Sequence, residues 1–326
     1  MQVPDTMMAA VMLKPHEIEI QTVPVPELAP EDVLIRVHAC GICGTDLHVF
    51  HGDSRGAVFP LIAGHELAGE VVAVGSQAGE VPLGARVVAE GRAGTGFRRA
   101  GAYAEYVSVP KEMLHFLPPH VGMVEAALID ALACAVNAVN QADLSSTDRA
   151  LVIGQGSSGL CMLQAARAMI GCELGAVDNH DENLALSRQF GAVLAVNPKT
   201  TDAAAAIMEW TQGQGLDCVL EATGRESAVN LALKSVRRNG RIVIYGVFGR
   251  PVTLDLDTLM FRQIHMAGAC ASRGTYPKAV ELLSEGKVNL RSIVNRVMPL
   301  SQLPKALRLL EQRQVFKVVI VPDRLL

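Results

Sequence analysis

Two short stretches of this 326-residue chain carry the residue types of metal chemistry. Cys40-Gly-Ile-Cys43-Gly-Thr45-Asp46-Leu-His48 places two thiols, a hydroxyl, an acid and an imidazole within nine residues. Gly64-His65-Glu66 adds an imidazole and a carboxylate. Three readings compete. Cys40 and Cys43 have the spacing of a redox pair. They could be half of a zinc ribbon, but the chain has no second Cys-x-x-Cys to complete one. The third reading is a catalytic zinc. Thiolate and imidazole are its preferred donors, a carboxylate commonly completes the protein shell, and one position stays open.

A different chemistry is written further along. Leu151-Val-Ile153 runs into Gly154-Gln-Gly156-Ser157-Ser158-Gly159, and a helical stretch follows at once. In this strand–turn–helix context the first glycine permits the tight turn and the second lets a pyrophosphate approach the backbone. The third lets helix and strand pack closely, and the helix N-terminus, starting at Ser157 and Ser158, faces the anion. Asp178 closes the next strand, nineteen residues after Gly159. A carboxylate there accepts from both ribose hydroxyls of an adenosine and repels a 2′-phosphate, so NAD is expected rather than NADP. Glu221-Ala-Thr223-Gly224 follows another strand and forms a further loop near the expected nicotinamide position.

These groups need two kinds of scaffold. Before Gly122 the chain reads as short strands (33–38, 70–74, 85–89) punctuated by proline and glycine, with one helical piece after Cys43. That texture predicts an irregular, barrel-like β domain. Residues 124–141 read as an Ala-rich helix, and from Arg149 strands and helices alternate with short loops. Such alternation predicts a doubly wound parallel sheet, so the fold class is α/β. After Gly274 two helices (276–284 and 303–312) and a last strand (315–321) are expected.

Composition removes several classes of function. Half the residues are hydrophobic and 19% are charged, enough apolar content for real cores. The formal net charge of −4 leaves no basic field for nucleic acid. The longest uncharged stretch, 150–166, contains the glycine turn and predicts no membrane span. Asp5 stands where a secretory signal would be basic, and seven cysteines without framework spacing fit a reducing cytoplasm.

The chain resembles the zinc-dependent, medium-chain alcohol dehydrogenases, with the sorbitol and threonine dehydrogenase branches nearest. The resemblance runs along nearly its whole length. It is carried by GICGTDLH at 41–48, GHE at 64–66, AALID at 126–130, the glycine turn at 154–159, VLEATG at 219–224, GRIVIYG at 240–246 and FKVVIVP at 316–322. It implies a GroES-like catalytic domain made of residues 1–131 and 272–326, with a Rossmann NAD-binding domain, 132–271, between them. It implies zinc ligands at Cys43, His65 and Asp130, with Cys40 at a non-ligand position. Thr45 matches the hydroxyl that meets the substrate oxygen, and His48 the end of the proton relay. Asp46 matches the acid that orients the zinc histidine, and Glu66 an acid close behind the metal. Gly154, Gly156, Ser157, Ser158, Gly159, Asp178, Thr223 and Gly224 would meet the NAD.

Two departures from the resemblance carry expectations. The four-cysteine lobe that holds a structural zinc in many relatives is replaced by Glu90–Ala102, rich in Gly and Arg and free of Cys, so one catalytic zinc and no structural zinc is expected. Its arginines, Arg92, Arg98 and Arg99, read as a solvated loop. Ala271 and Ser272 stand where sorbitol dehydrogenases place an Arg–Tyr pair. The expected activity is hydride transfer between NAD and a secondary alcohol of polyol, sugar or amino-alcohol type, in a cytoplasmic homo-oligomer, dimer or tetramer. The rim after His48 (Val49, Phe50, His51), with Phe59, is expected to line the substrate. The competing readings are a zinc-free quinone-type reductase and a nucleotide-binding redox sensor built on Cys40 and Cys43.

Overall fold

The structure is a computed structural model that describes residues 3–53 and 56–325. The chain divides into two compact units. One holds residues 1–130, 283–285 and 290–326; the other holds 131–282 and 286–289. The outer limits of the expected catalytic domain, 1 and 326, lie outside the described residues. The return to the first unit comes later than the expected residue 272. Helix Tyr276–Ser284 accounts for this: Tyr276 is fully buried, and Thr275 Oγ1 donates to Ala133 O at 2.6 Å, which ties its N-terminal end to the second unit.

In the first unit, strands Asp32–Gly41, Glu66–Val74, Arg86–Ala89 and Leu114–Phe116 pair antiparallel in that order, and Tyr106–Pro110 pairs with Asp32–Gly41. The sheet is extended by Val318–Val321, antiparallel to Asp32–Gly41 through Val319↔Gly41 and Ile320↔Cys40, and then by Arg296–Pro299. A three-stranded sheet of Glu17–Pro24, Thr6–Lys14 and Leu61–Ile62 completes the unit. Its core mixes both ends of the chain: Ile35, Val37, Val71 and Val107 pack with Met298, Leu303, Leu307 and Ile320.

The second unit is a six-stranded, wholly parallel sheet. Its spatial order is Leu194–Val196, Glu173–Val177, Arg149–Ile153, Leu216–Glu221, Val236–Ile244 and His265–Gly268. By sequence order that is 3-2-1-4-5-6, the doubly wound arrangement whose direction reverses at its first strand. The helix read at 124–141 comes in two pieces, Met123–Ala126 and Ile129–Ala142, because the chain turns at Ala127–Leu128. Asp130 therefore sits in the first turn of a new helix. Among the described residues no helix is long and apolar enough to cross a membrane.

Candidate functional site

In the first unit the sheet edge delivers the chemistry. Strand Asp32–Gly41 ends at Gly41, and helix Gly44–His51 begins three residues later with Cys43 as its N-cap. The Cys43 amide donates to Asp46 Oδ2 at 2.8 Å, which pins the first turn. Thr45 and His48 lie three apart on this helix and so share a face. Thr45 is half-buried, with Oγ1 3.5 Å from Cys43 Sγ, and His48 is exposed. His65 and Glu66 enter from the start of strand Glu66–Val74 after Gly64, whose φ of +93° suits glycine. A Cβ on Gly64 would lie 2.8 Å from the Tyr103 ring, so the turn is closed to larger residues.

Three donor atoms meet there. Cys43, His65 and Glu66 each offer one within 4.8 Å of the others. Behind the ring, His65 Nδ1 and Asp46 Oδ1 face each other at 3.4 Å, both buried and neither with another hydrogen-bond partner. Nδ1–H is thus turned to the carboxylate, and Nε2 is left as the ring's lone-pair donor. Burial by itself raises the pKa of Asp46. The His65 ring, the Cys43 amide and the Tyr103 hydroxyl outweigh it and hold the carboxyl below its ordinary range. Burial opposes a charge on His65, but Asp46 and Cys43 override it, and the ring's pKa is well above that of an ordinary histidine. The sulfur, nitrogen and oxygen set, with an oriented histidine, fits zinc.

Asp130 lies outside this group of three. Its charge acts on Glu66, whose pKa burial raises, with Asp130 adding to that against the pull of Lys317 and His65. Cys40 is fully buried, and burial pushes its thiol well up, which suits neither a thiolate ligand nor a redox partner.

Several side chains that build this centre escaped sequence reasoning. Tyr103 is fully buried and its hydroxyl donates to Asp46 Oδ2 at 2.8 Å. Phe97, the one aromatic residue of the Gly/Arg stretch, lies tilted against His65 with ring centroids 5.3 Å apart. Lys317 is fully buried, pairs with Glu66 and donates to Ile42 O at 3.1 Å. A lone lysine beside an apolar strand was the available signal for it. The expected rim divides. Val49 is core, Phe50 and Phe59 pack against that core, and His51 pairs with Glu311. Of the loop arginines, Arg92 and Arg98 are exposed, as expected of a solvated loop, although Arg92 pairs locally with Glu90; Arg99 departs from that reading and ties the loop to Asp32.

In the second unit, the turn Gly154–Gly156 leads from the first strand of the parallel sheet into helix Ser157–Met169. Gly154 adopts φ +95° and its amide donates to Val177 O at 2.8 Å. A Cβ on Gly159 would stand 1.7 Å from Gly154 O, so helix and strand can be this close only with glycine there. A Cβ on Gly156 would meet nothing within 4 Å, which leaves space over the turn for a ligand. Asp178 is half-buried beside it. Its Oδ2 accepts from the Gln155 amide at 2.6 Å and its Oδ1 from the His180 amide at 2.8 Å. Thr223 belongs to the same edge, with Cγ2 only 2.5 Å from where a Gly154 Cβ would be. Buried Glu221 draws in the amides of Thr223 and Gly224, at 2.7 and 3.1 Å, and so shapes that loop. The amides of a helix start, a glycine cradle and a neighbouring acid fit a dinucleotide.

Comparison with known proteins gives the family. Residues 29–119 match the family described as alcohol dehydrogenase GroES-like domain, and residues 159–285 the family described as zinc-binding dehydrogenase. The chain is 32% identical to D-arabitol-phosphate dehydrogenase of Enterococcus avium, over 91% of this chain and 91% of that protein. It is 34% identical to L-threonine 3-dehydrogenase of Symbiobacterium thermophilum, over 93% and 94%. Among solved structures, one described as a zinc-binding dehydrogenase of Sinorhizobium meliloti 1021 bound to NADP superposes with a TM-score of 0.92. It is 27% identical, and the match covers 98% of this chain and 100% of that one. The chain belongs to the zinc-dependent medium-chain alcohol dehydrogenase family. It is an alcohol oxidoreductase that uses zinc and a nicotinamide cofactor, and the zinc-free reductase and redox-sensor readings are not favoured.

Proposed function

We propose that this enzyme oxidises a secondary alcohol of polyol, sugar or amino-alcohol type to the ketone, with NAD as hydride acceptor and one zinc per chain. The observation that carries the reading is the gathering of Cys43, His65 and Glu66 donors around a histidine backed by Asp46, with the Thr45 hydroxyl alongside. By the family resemblance Cys43, His65 and Asp130 would hold the zinc, with Glu66 close behind them. The substrate type is supported by relatives named for an arabitol phosphate and for the 3-position of threonine. NAD, rather than the NADP of the Sinorhizobium structure, is supported by Asp178 beside the glycine turn. The absence of cysteine from 90–102 supports a single zinc. A cytoplasmic site of action is supported by seven cysteines without framework spacing, and a homo-oligomer, dimer or tetramer, by resemblance.

When bound, zinc acidifies the alcohol and NAD takes its hydride, so R₂CHOH and NAD⁺ become R₂C=O, NADH and H⁺. The chain's own residues handle the proton. Thr45 Oγ1 accepts a hydrogen bond from the substrate hydroxyl, and His48, one turn further and exposed, delivers the proton to water. Asp46 holds the His65 ring by Nδ1. Gly154, Gly156 and the amides of Ser157, Ser158 and Gly159 would seat the pyrophosphate, Asp178 would take the ribose hydroxyls, and the Thr223–Gly224 loop would meet the cofactor beyond them.

Two measurements test this. Elemental analysis should return one zinc per chain, and two would refute the single site. Absorbance screening of NAD reduction with polyols, sugars, amino alcohols and simple primary alcohols should rank a hydroxylated secondary alcohol first in kcat/KM. A wide lead for ethanol or benzyl alcohol would overturn the substrate class and leave the dehydrogenase standing.

A further inference from the structure

Lys317 is an unusual residue for its place. It precedes strand Val318–Val321, all of whose residues are buried, and its own side chain is 1% exposed. An ammonium in such surroundings is strongly penalised unless it is closely paired. Its Nζ donates to Ile42 O at 3.1 Å and to Glu66 Oε2. Ile42 directly precedes Cys43, and Glu66 directly follows His65. One cation thus joins the two ligand-bearing segments to a strand 275 residues away from the first of them. The carboxylate it holds is one of the three donors within 4.8 Å of each other. Glu66 therefore has two competing partners, the fixed ammonium and a metal.

We propose that Lys317 is a positioning residue that decides which carboxylate completes the metal centre. It holds Glu66 off the metal and leaves the third protein position to Asp130, so the fourth position stays open for substrate. The proposal rests on Cys43, His65 and Asp130 being the zinc ligands. A residue that merely filled the core would leave the coordination unchanged when replaced by an apolar side chain of similar length.

The test uses the full chain loaded with Co²⁺ in place of zinc, whose visible absorption reports coordination number. In Lys317→Met, Glu66 joins the metal. The ligand-field bands weaken as the centre gains a ligand, and zinc transfer to a chromophoric chelator shows affinity raised about tenfold or more. Lys317→Met/Glu66→Gln returns both readouts to the wild-type values. Wild-type spectrum and affinity in Lys317→Met, or a change that persists in the double variant, overturns the proposal. Lys317→Gln keeps a donor without the charge and serves if the Met variant does not fold. It too should gain Glu66 as a ligand, and a wild-type spectrum there refutes the idea equally. Asp130→Asn is read separately. If it leaves the Co²⁺ spectrum unchanged, the ligand set is wrong, whatever Lys317 does.

Discussion

Replacing Tyr103 by phenylalanine removes one oxygen from a place no solvent reaches. The hydroxyl is fully buried and donates to Asp46 Oδ2 at 2.8 Å. Asp46 is itself wholly buried, and on that oxygen it keeps the Cys43 amide at 2.8 Å. The phenyl ring occupies the same volume, so cavity cost is small and the loss is electrostatic. A hydrogen bond to a buried charged group is worth about 1.5–3 kcal/mol, and water cannot replace it here. Asp46 is also what orients His65, and removing a partner of that kind costs about 10- to 100-fold in metal affinity. Metal-free Tyr103→Phe should therefore unfold at lower urea concentration. Chelator competition should show zinc held at least about tenfold less tightly. NAD affinity should not change, because the nucleotide residues belong to the other unit. A stability change under about 0.5 kcal/mol, the size of an ordinary surface substitution, together with wild-type zinc affinity would refute the chain of reasoning from Tyr103 through Asp46 to His65.

The other predictions concern the second unit. Gly159→Ala places a Cβ 1.7 Å from Gly154 O, so the turn must shift and NAD binding measured by titration calorimetry should be lost or severely weakened; wild-type affinity would contradict the cradle. Asp178→Ser should narrow the preference for NAD over NADP in kcat/KM, chiefly by weakening NAD, whereas a wild-type enzyme that is faster with NADP at equal low concentration would remove Asp178 from the ribose. Burial opposes ionisation of Asp148, yet the Ser145 amide and hydroxyl and the Arg241 guanidinium hold its carboxyl below the usual range. Its folded pKa is thus depressed, and its stabilisation is present above the unfolded value of about 3.9 and lost as pH falls through the folded one. Asp148→Asn should lower Tm at neutral pH and flatten its fall on acidification, and parallel acid limbs for both proteins would exclude the assignment.

The nucleotide half was the more legible half of the sequence. Strand 173–177 and helix 276–284 fall where the apolar spacing puts them, because buried parallel strands and amphipathic helices write continuous patterns. His265–Gly268 left no such mark: it is an edge strand, mostly exposed, with no apolar run to read. The hairpin Thr6–Lys14 and Glu17–Pro24 is absent from that reading; no residue of its second strand is buried. At the metal centre, Cys43 and His65 were visible because thiol and imidazole are rare. Tyr103, Phe97 and Lys317 were not, since each acts by proximity across the fold and nothing near it in the chain announces a partner. Val49 and Phe50 show the converse error, in which neighbours of a reactive helix face were read as pocket wall but turn to the core.

Because the strands 296–299 and 318–321 complete a sheet begun at residue 32, synthesis order and assembly order differ in this chain. The parallel sheet, whose strands all lie within 149–268, can form as soon as it leaves the ribosome. The β unit must wait with one side of Cys40–Gly41, the end of strand 32–41 that leads to Cys43, unpaired until strand 318–321 arrives. Once the parallel domain has folded, the 275 residues between Ile42 and Lys317 are no longer free chain, and closing that loop costs less entropy. A nascent chain stalled before residue 317 would carry a finished nucleotide domain and an unfinished metal centre.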